Sequence, residues 1–564
     1  MSKKIALFFL LALFLYAKTL PVHFLGNSSV AQDELYESLD LYKPYFYEFW
    51  KKQPKLDEKT LPLAKERLKN FYKSKGFYHA VITDKIDKKG ITLNIKEGKP
   101  IIVWSLSVIS KFDLSPFIPF KKGRIFSAKE FEKSKTEIKK FYERKGYCKV
   151  DLNAKAWIDI EKNRAYLAYD IKRNRPCRFG SIEIKETKDI DKKIIKSLLY
   201  FKKNDLYSLD KVSNSYKNFY AHEGISSVII KTDIQNSDDV NVSVSVSQTD
   251  KPIRFQVGAG INSDEGLELT LGIKNRNFLG NLKTISFNTK YTSLKQSASI
   301  NFDMPLVNRK SFGTGLEYSN EEFLGFSEQK LLETVFLKHR SSKSILQESL
   351  IFDFSKIYDS SDLDAYPEGN FFLLSPKVSW IYDTRDDVLE PSKGYFVRAE
   401  VMGSIKSFIS DATYYKYNLE GGYIIPFSSY IVALKANYGS LHTQDGAIPA
   451  SYRFYAGGMN SNRAYTYRKL GPENSSGDPL GLNSILEFTA EYRFPIYGDF
   501  RGVLFSDNTY IGQIDTPDFD KCYNSAGFGL RYKTPIGPVA FDFGFDVSKP
   551  SKQYAFHFRI GELF

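Results

Sequence analysis

The sequence predicts three tandem β-α-α-β-β repeats followed by a 16-stranded antiparallel transmembrane β-barrel. Three observations predict it. A Phe-Tyr-x-x-x-Gly pattern recurs at 71–76, 141–146 and 219–224. From about residue 252, apolar and polar residues alternate in runs of about ten, the period of strands with one lipid face and one lumenal face. The charge also changes there: residues 18–250 hold 45 Lys+Arg against 31 Asp+Glu, residues 251–564 hold 33 against 35, and two N-terminal lysines complete the formal +14.

The 564 residues exceed one compact core. Past residue 17 no stretch reaches the roughly 20 apolar residues of a spanning helix. Three cysteines exclude a disulfide framework. Lys3 and Lys4, the apolar run 5–16 and Ala17 describe a secretory signal peptide over 1–17. Export argues against a nucleic-acid partner for the basic half, whose lysines alternate with glutamates.

Each repeat opens with a strand (19–25, 101–109, 178–184), passes through helices and ends in a hairpin. The expected domains are 18–99, 100–174 and 175–250, with the barrel over 251–564. Ser127 and Glu130 read as a capping box. Gly76, Gly146 and Gly224 read as left-handed helix ends. The Phe-Tyr pairs are expected to pack inward from the last helical turns. Pairing the hairpin 149–172 about its turn sets Cys148 nearly opposite Cys177, a possible disulfide. Open sheet edges in such repeats could accept an extended segment as an added strand.

Sixteen alternating runs lie between 254 and 564. Val539, Phe541, Phe543 and Phe545 share the lipid face, with Asp542 and Asp546 opposite. An even count returns the chain to its starting side, and closure satisfies the backbone in lipid. Tight turns at 278–281, 308–310 and 534–538 mark one rim. The longest loop, 443–483, lies on the other.

YDTRDDVLEPSKGYFV (382–397), YAGGMNSNRAYTYRKLGP (455–472), EYRFPI (491–496) and SAGFGLRYKTPIGPVAFDFG (525–544) resemble segments of the BamA/TamA superfamily. These are outer-membrane barrels preceded by periplasmic POTRA domains. The resemblance covers essentially the mature chain, and three repeats are most similar to the TamA family. It implies an assembly factor that inserts or translocates client barrels such as autotransporters. It also implies a TamB-like inner-membrane-anchored periplasmic partner, unfolded outer-membrane clients and contact with outer-membrane lipids. The alternatives are a general BamA-like insertase and a two-partner secretion pore exporting one dedicated protein.

The resemblance further implies that Arg463 and Tyr465, near Gly457 and Gly458, tether the long loop inside the lumen, with Glu491 and Asp507 as wall acids. Alternation supports an inward Glu491; in 500–511 it is too irregular to place Asp507. Ala464 stands where the family usually has glycine. The lateral gate is expected between the first and last strands, at Phe255, Gly258, Gly260, Phe558, Gly561 and Phe564. Asp383, Arg385 and Asp386 read as a salt-bridged rim turn, because an Arg among the acids argues against calcium. The sequence has no Gly-x-Ser-x-Gly, His-Glu-x-x-His, Cys-x-x-Cys or phosphate loop, and its six histidines have no metal spacing. Neither an enzyme nor a cofactor is expected.

Overall fold

The computed structural model describes residues 19–42, 54–173, 175–185, 187–234, 239–534, 537–560 and 563. The expected signal peptide, Gly561 and Phe564 lie outside them. The chain divides into two compact units. One holds the first two repeats and residues 175–181, 202–211 and 232–242 of the third; the other holds the remaining third-repeat segments and the barrel.

The first repeat contains β1 (Thr19–Leu25), α1 (Gln32–Ser38), β2 (Lys55–Asp57), α2 (Leu61–Ser74), β3 (Val81–Asp87) and β4 (Gly90–Lys96). Its sheet runs β2-β1-β4-β3, with β1 and β4 parallel, so β2 covers the outer edge of β1. Leu35, Leu68, Tyr72, Ile91 and Leu93 form the core. Beside it, Glu97 accepts from Ser28 Oγ (2.8 Å), the Ser29 N–H (3.0 Å) and Tyr72 Oη (3.2 Å). Burial opposes its ionisation, but the bonds from Ser29 and Ser28 outweigh that and hold the carboxyl below its ordinary range.

The second repeat contains β5 (Ile102–Ile109), α3 (Ala128–Arg144), β6 (Val150–Asp159) and β7 (Arg164–Arg173), with sheet order β5-β7-β6. It departs from the expected β-α-α-β-β order, because a turn at Leu114–Phe117 replaces the first helix. Pro116 and Pro119 explain this: proline removes a helical donor and disfavours helical backbone before it. Ser127 caps α3 by accepting from the Glu130 N–H at 3.3 Å, while the Glu130 carboxylate takes Arg124 at 3.0 Å.

The third repeat contains β8 (Arg178–Ile184), α4 (Lys192–Leu198), α5 (Leu209–Tyr220), β9 (Ile225–Asp233) and β10 (Asp239–Gln248), ordered β8-β10-β9. Two expectations fail here. Gly76 and Gly146 have φ of +96° and +99°, but Gly224 is not left-handed. It stands four residues past the end of α5, where a Cβ would collide with the Arg276 carbonyl, so close approach explains this glycine. Tyr72 and Tyr142 are fully buried, whereas Phe219 takes the inward place and Tyr220 is 53% exposed. Helix α5 ends at its Tyr, while α2 and α3 run two residues beyond theirs. A disulfide joins Cys148 to Cys177, with Cα atoms 5.8 Å apart.

The barrel contains β11 (Ile253–Asn262), β12 (Gly266–Asn275), β13 (Thr284–Tyr291), β14 (Lys295–Pro305), β15 (Lys310–Phe323), β16 (Phe326–Arg340), β17 (Ser344–Tyr358) and β18 (Gly369–Asp383). It continues with β19 (Gly394–Ser404), β20 (Ala412–Phe427), β21 (Tyr430–Gly446), β22 (Ser484–Tyr497), β23 (Phe500–Gly512), β24 (Cys522–Tyr532), β25 (Val539–Asp546) and β26 (Tyr554–Ile560). Each strand pairs with its sequence neighbour, giving one 16-stranded antiparallel sheet. Phe528, Phe541 and Phe556 face outward, while Arg531, Asp542 and His557 are buried inside. The 276–283, 306–309 and 428–429 connections lie on one rim, and the 447–483 loop on the other. The rim with the tight turns also carries a longer connection, 384–393.

Candidate functional site

The loop 447–483 folds back against the inner wall. Arg463 is fully buried. Its Nε and Nη2 donate to the two Asp507 oxygens at 2.9 Å each, and its Nη1 reaches Glu491 at 2.7 Å and Asp542 at 3.4 Å. The guanidinium lies 3.5 Å from the Phe505 ring centroid. A two-pronged carboxylate bond fixes direction as well as distance. Asp507 is therefore inward-facing and forms the principal contact of Arg463, which the irregular pattern of 500–511 had left unsettled.

The wall is more highly charged than the expected pair of acids. Arg493 binds Glu491 at 2.8 Å, Arg531 binds Asp542 at 2.6 Å, and Arg559 lies 3.2 Å from Asp542. Four arginines thus interleave with three carboxylates on β22, β23, β25 and β26, the loop and β24. Each charge faces opposite charge, which offsets the cost of removing it from water. Alternation had placed Asp542 inward, but it could not say that Asp542, Arg493 and Arg531 join the Arg463 site. That depends on the stagger between strands and on Gly544, where a Cβ would collide with the Arg463 carbonyl.

The neighbouring loop residues hold the same pose. Tyr465 Oη donates to Asp546 at 2.6 Å. Gly457 and Gly458 have φ of +96° and +105°. At Gly457 a Cβ would lie 2.6 Å from the Thr466 carbonyl. Ala464 is fully buried and is not among the positive-φ residues, so its bend requires no glycine. Across the lumen, Ser451 Oγ donates to Glu328 at 2.6 Å, Tyr452 Oη to Asp353 at 2.7 Å, and Arg468 Nη2 to Glu321 at 2.8 Å. The loop is therefore a brace between the β15–β17 wall and the β22–β26 wall.

Strands β11 and β26 are not paired as a ladder among the described residues. Among the described residues their backbones meet at Ser263, whose N–H donates to the Phe558 carbonyl at 3.3 Å and whose Oγ accepts from the Phe558 N–H at 3.4 Å. Phe558 thus stands beside Ser263, past the end of β11. Phe255, Gly258 and Gly260 lie along β11, with Phe255 74% exposed. Among the described residues β26 covers Tyr554–Ile560, while β11 pairs with β12 from Ile253 to Asn262.

Side chains bridge the seam where the ladder does not. Asp264, just past β11, accepts from the Met459 N–H at 3.0 Å and lies 3.5 Å from His557 Nδ1. On β26, Arg559 donates to the Met459 carbonyl at 3.0 Å, and His557 Nε2 lies 3.1 Å from the Arg463 carbonyl. That carbonyl can only accept, so Nε2 carries a proton. The braced loop thus holds both seam strands. Asp264 and His557 gave no signal in the sequence, since neither belongs to a motif.

The remaining sites stand apart. Arg385 clasps Asp383 at 2.6 Å beneath the 384–393 connection, while Asp386 accepts from the Ser392 and Lys393 N–H groups at 2.9 and 3.1 Å. The Cys148–Cys177 bridge belongs to the repeats. Among the described residues, no three His, Cys, Asp or Glu side chains converge as metal ligands.

Comparison with known families decides the relationship. A model of the Omp85 superfamily domain matches residues 277–564, and one described as surface antigen variable number repeat (POTRA) matches 20–98, 101–174 and 177–249. The chain belongs to the Omp85 superfamily. It is a member with three POTRA repeats and an outer-membrane barrel, the repeats lying in the periplasm. It is 24% identical to a SAM50-like protein of Schizosaccharomyces pombe, over 62% of this chain and 80% of that one. It is 20% identical to the outer membrane protein assembly factor BamA of Neisseria meningitidis serogroup B, over 97% and 78%. The crystal structure of BamA from Haemophilus ducreyi lacking POTRA domains 1–3 superposes with a TM-score of 0.58 at 16% identity, covering 82% of this chain and 99% of that one. This Omp85 fold places the charged loop inside the barrel and the unzipped seam in its wall.

Proposed function

We propose that this Omp85 protein is an outer-membrane assembly factor that inserts or translocates client β-barrel proteins through the β11/β26 seam. The observation that carries this reading is that, among the described residues, no strand ladder joins β11 to β26, beside fully paired neighbours. An unpaired strand edge is a template for an incoming strand. The reading is supported by relatives named as BamA, at 20–22% identity. It uses binding and templating alone, with no enzymatic step and no cofactor. In its finer form it is TamA-like: the three POTRA repeats dock a TamB-like periplasmic protein anchored in the inner membrane, and the clients include autotransporters.

The test is client insertion by the full chain in liposomes, with and without an engineered disulfide across the seam. Loss of insertion on locking, and recovery on reduction, is expected; equal insertion in both states contradicts the reading. Purification of the full chain from its native membranes, with mass spectrometry of what accompanies it, tests the finer form. Recovery of a long inner-membrane-anchored protein is expected. Recovery of outer-membrane lipoproteins indicates a general insertase, and a single secreted protein indicates an export pore.

A further inference from the structure

At the tight-turn end of the barrel, the inner wall and the 221–224 segment after α5 enclose a chamber of about 450 Å³. Its lining is lopsided in charge. Lys274, Arg276, Arg309, Lys310, Lys338 and Arg340 contribute six cations, against the carboxylates Glu223 and Asp303. Glu223 is taken by Lys274 at 2.8 Å, and Asp303 lies 3.6 Å from Lys338. Arg276 donates to the Lys251 carbonyl at 2.5 Å, and the Arg309 guanidinium covers the Tyr200 ring at 4.3 Å. The Arg340 side chain has neither a hydrogen bond nor an ion pair among the described residues. His222 completes the wall. Burial and the adjacent Arg340 outweigh Asp303 and push its imidazole down to about 4, so at neutral pH it adds no charge.

Like charges held this close in a partly enclosed space repel one another unless an anion sits among them. The volume suits a small molecule and is short for a folded-back peptide segment. Arginine's planar fork matches phosphate geometry better than a point charge does. Leu198, Leu282, Phe302 and Phe336 supply apolar walls around the charged ones. We propose that this chamber binds a compact phosphate-bearing anion, either a soluble phosphate compound or a phospholipid headgroup, with Arg340 as the principal ligand and Lys338 and Lys310 beside it. The site is independent of the Arg463 cluster and of the seam.

The probe is pyrophosphate, titrated calorimetrically into the purified full chain in a non-ionic detergent at low salt. The variants are Arg340→Gln and a distant control, Lys406→Gln, which lies in the 405–411 connection on the opposite rim. Heat-dependent gel mobility checks that each is folded. Saturable binding is expected, weakened about tenfold or more in Arg340→Gln by loss of a charge-assisted bond and unchanged in Lys406→Gln. The absence of saturable binding, or equal binding by Arg340→Gln, overturns the proposal. Should that variant fail to fold, competition on the wild-type chain decides: displacement of pyrophosphate by a tetra-aspartate peptide at lower concentration overturns the phosphate assignment. Displacement by phosphatidylglycerol nanodiscs identifies a headgroup ligand, and its absence a soluble one; both are forms of the proposal.

Discussion

The β15/β16 wall and the β11/β26 seam lie in one barrel and close in different ways. From Lys310 opposite His339 to Phe323 opposite Phe326, β15 and β16 pair without interruption. At the seam, the described backbone contacts stop at Ser263 and Phe558, and the side chains of Asp264, His557 and Arg559 reach the loop backbone across the gap. A ladder must break along its length to open. A side-chain latch opens when a few bonds exchange for water. Among the described residues, the loop rather than strand pairing joins the two sides of the seam.

The largest way to break this contrast is Arg463→Ala. It leaves Glu491, Asp507 and Asp542 short of a buried counter-charge and is expected to cost about 3–5 kcal/mol, read as a lowered thermal transition of the folded barrel. Because the Arg463 carbonyl also meets His557, the seam is expected to loosen in the same variant, measured as faster hydrogen exchange in β26 than in β16.

Asp264→Ala is the narrower cut. It strands the Met459 N–H, takes the carboxylate away from His557 Nδ1, and is expected to cost about 1–3 kcal/mol, with the exchange increase confined to β11 and β26. Ser451→Ala sharpens the comparison from the other side. It removes one hydrogen bond to Glu328 on the zipped wall, at about 1 kcal/mol, and seam exchange is expected to stay at the wild-type rate.

The smallest expected effect is at Ala464→Gly, about 0.5 kcal/mol of destabilisation, because the bend already suits alanine and glycine adds unfolded-state freedom. A gain in stability on chemical denaturation would mean that the bend does favour the family residue.

Much of this was legible in the residues. The alternation around Phe541 to Phe545 is dictated by lipid on one face and water on the other, so the strands could be counted in the sequence. The Arg463–Glu491 meeting followed from resemblance and alternation together. What could not be read has physical causes. The missing helix of the second repeat is decided by Pro116 and Pro119, whose local restriction overrides the repeat pattern. Gly224 looks like its counterparts in sequence, but its role comes from Arg276, far away along the chain. Asp542 and Arg559 join the Arg463 cluster through strand stagger, which no periodicity encodes. Asp264 lies in a short turn with nothing to mark it.

The most direct test of the latch is a distance measurement across the seam. Spin labels at Val257→Cys on β11 and Phe556→Cys on β26, both outward-facing, are placed in a Cys522→Ser background of the full chain in lipid nanodiscs. Pulsed electron resonance then compares the wild-type latch with Asp264→Ala. A narrow distance distribution is expected, broadening to longer distances in Asp264→Ala and staying narrow in Ser451→Ala. An unchanged narrow distribution in Asp264→Ala would contradict the latch, because the seam would then be held by something other than the loop.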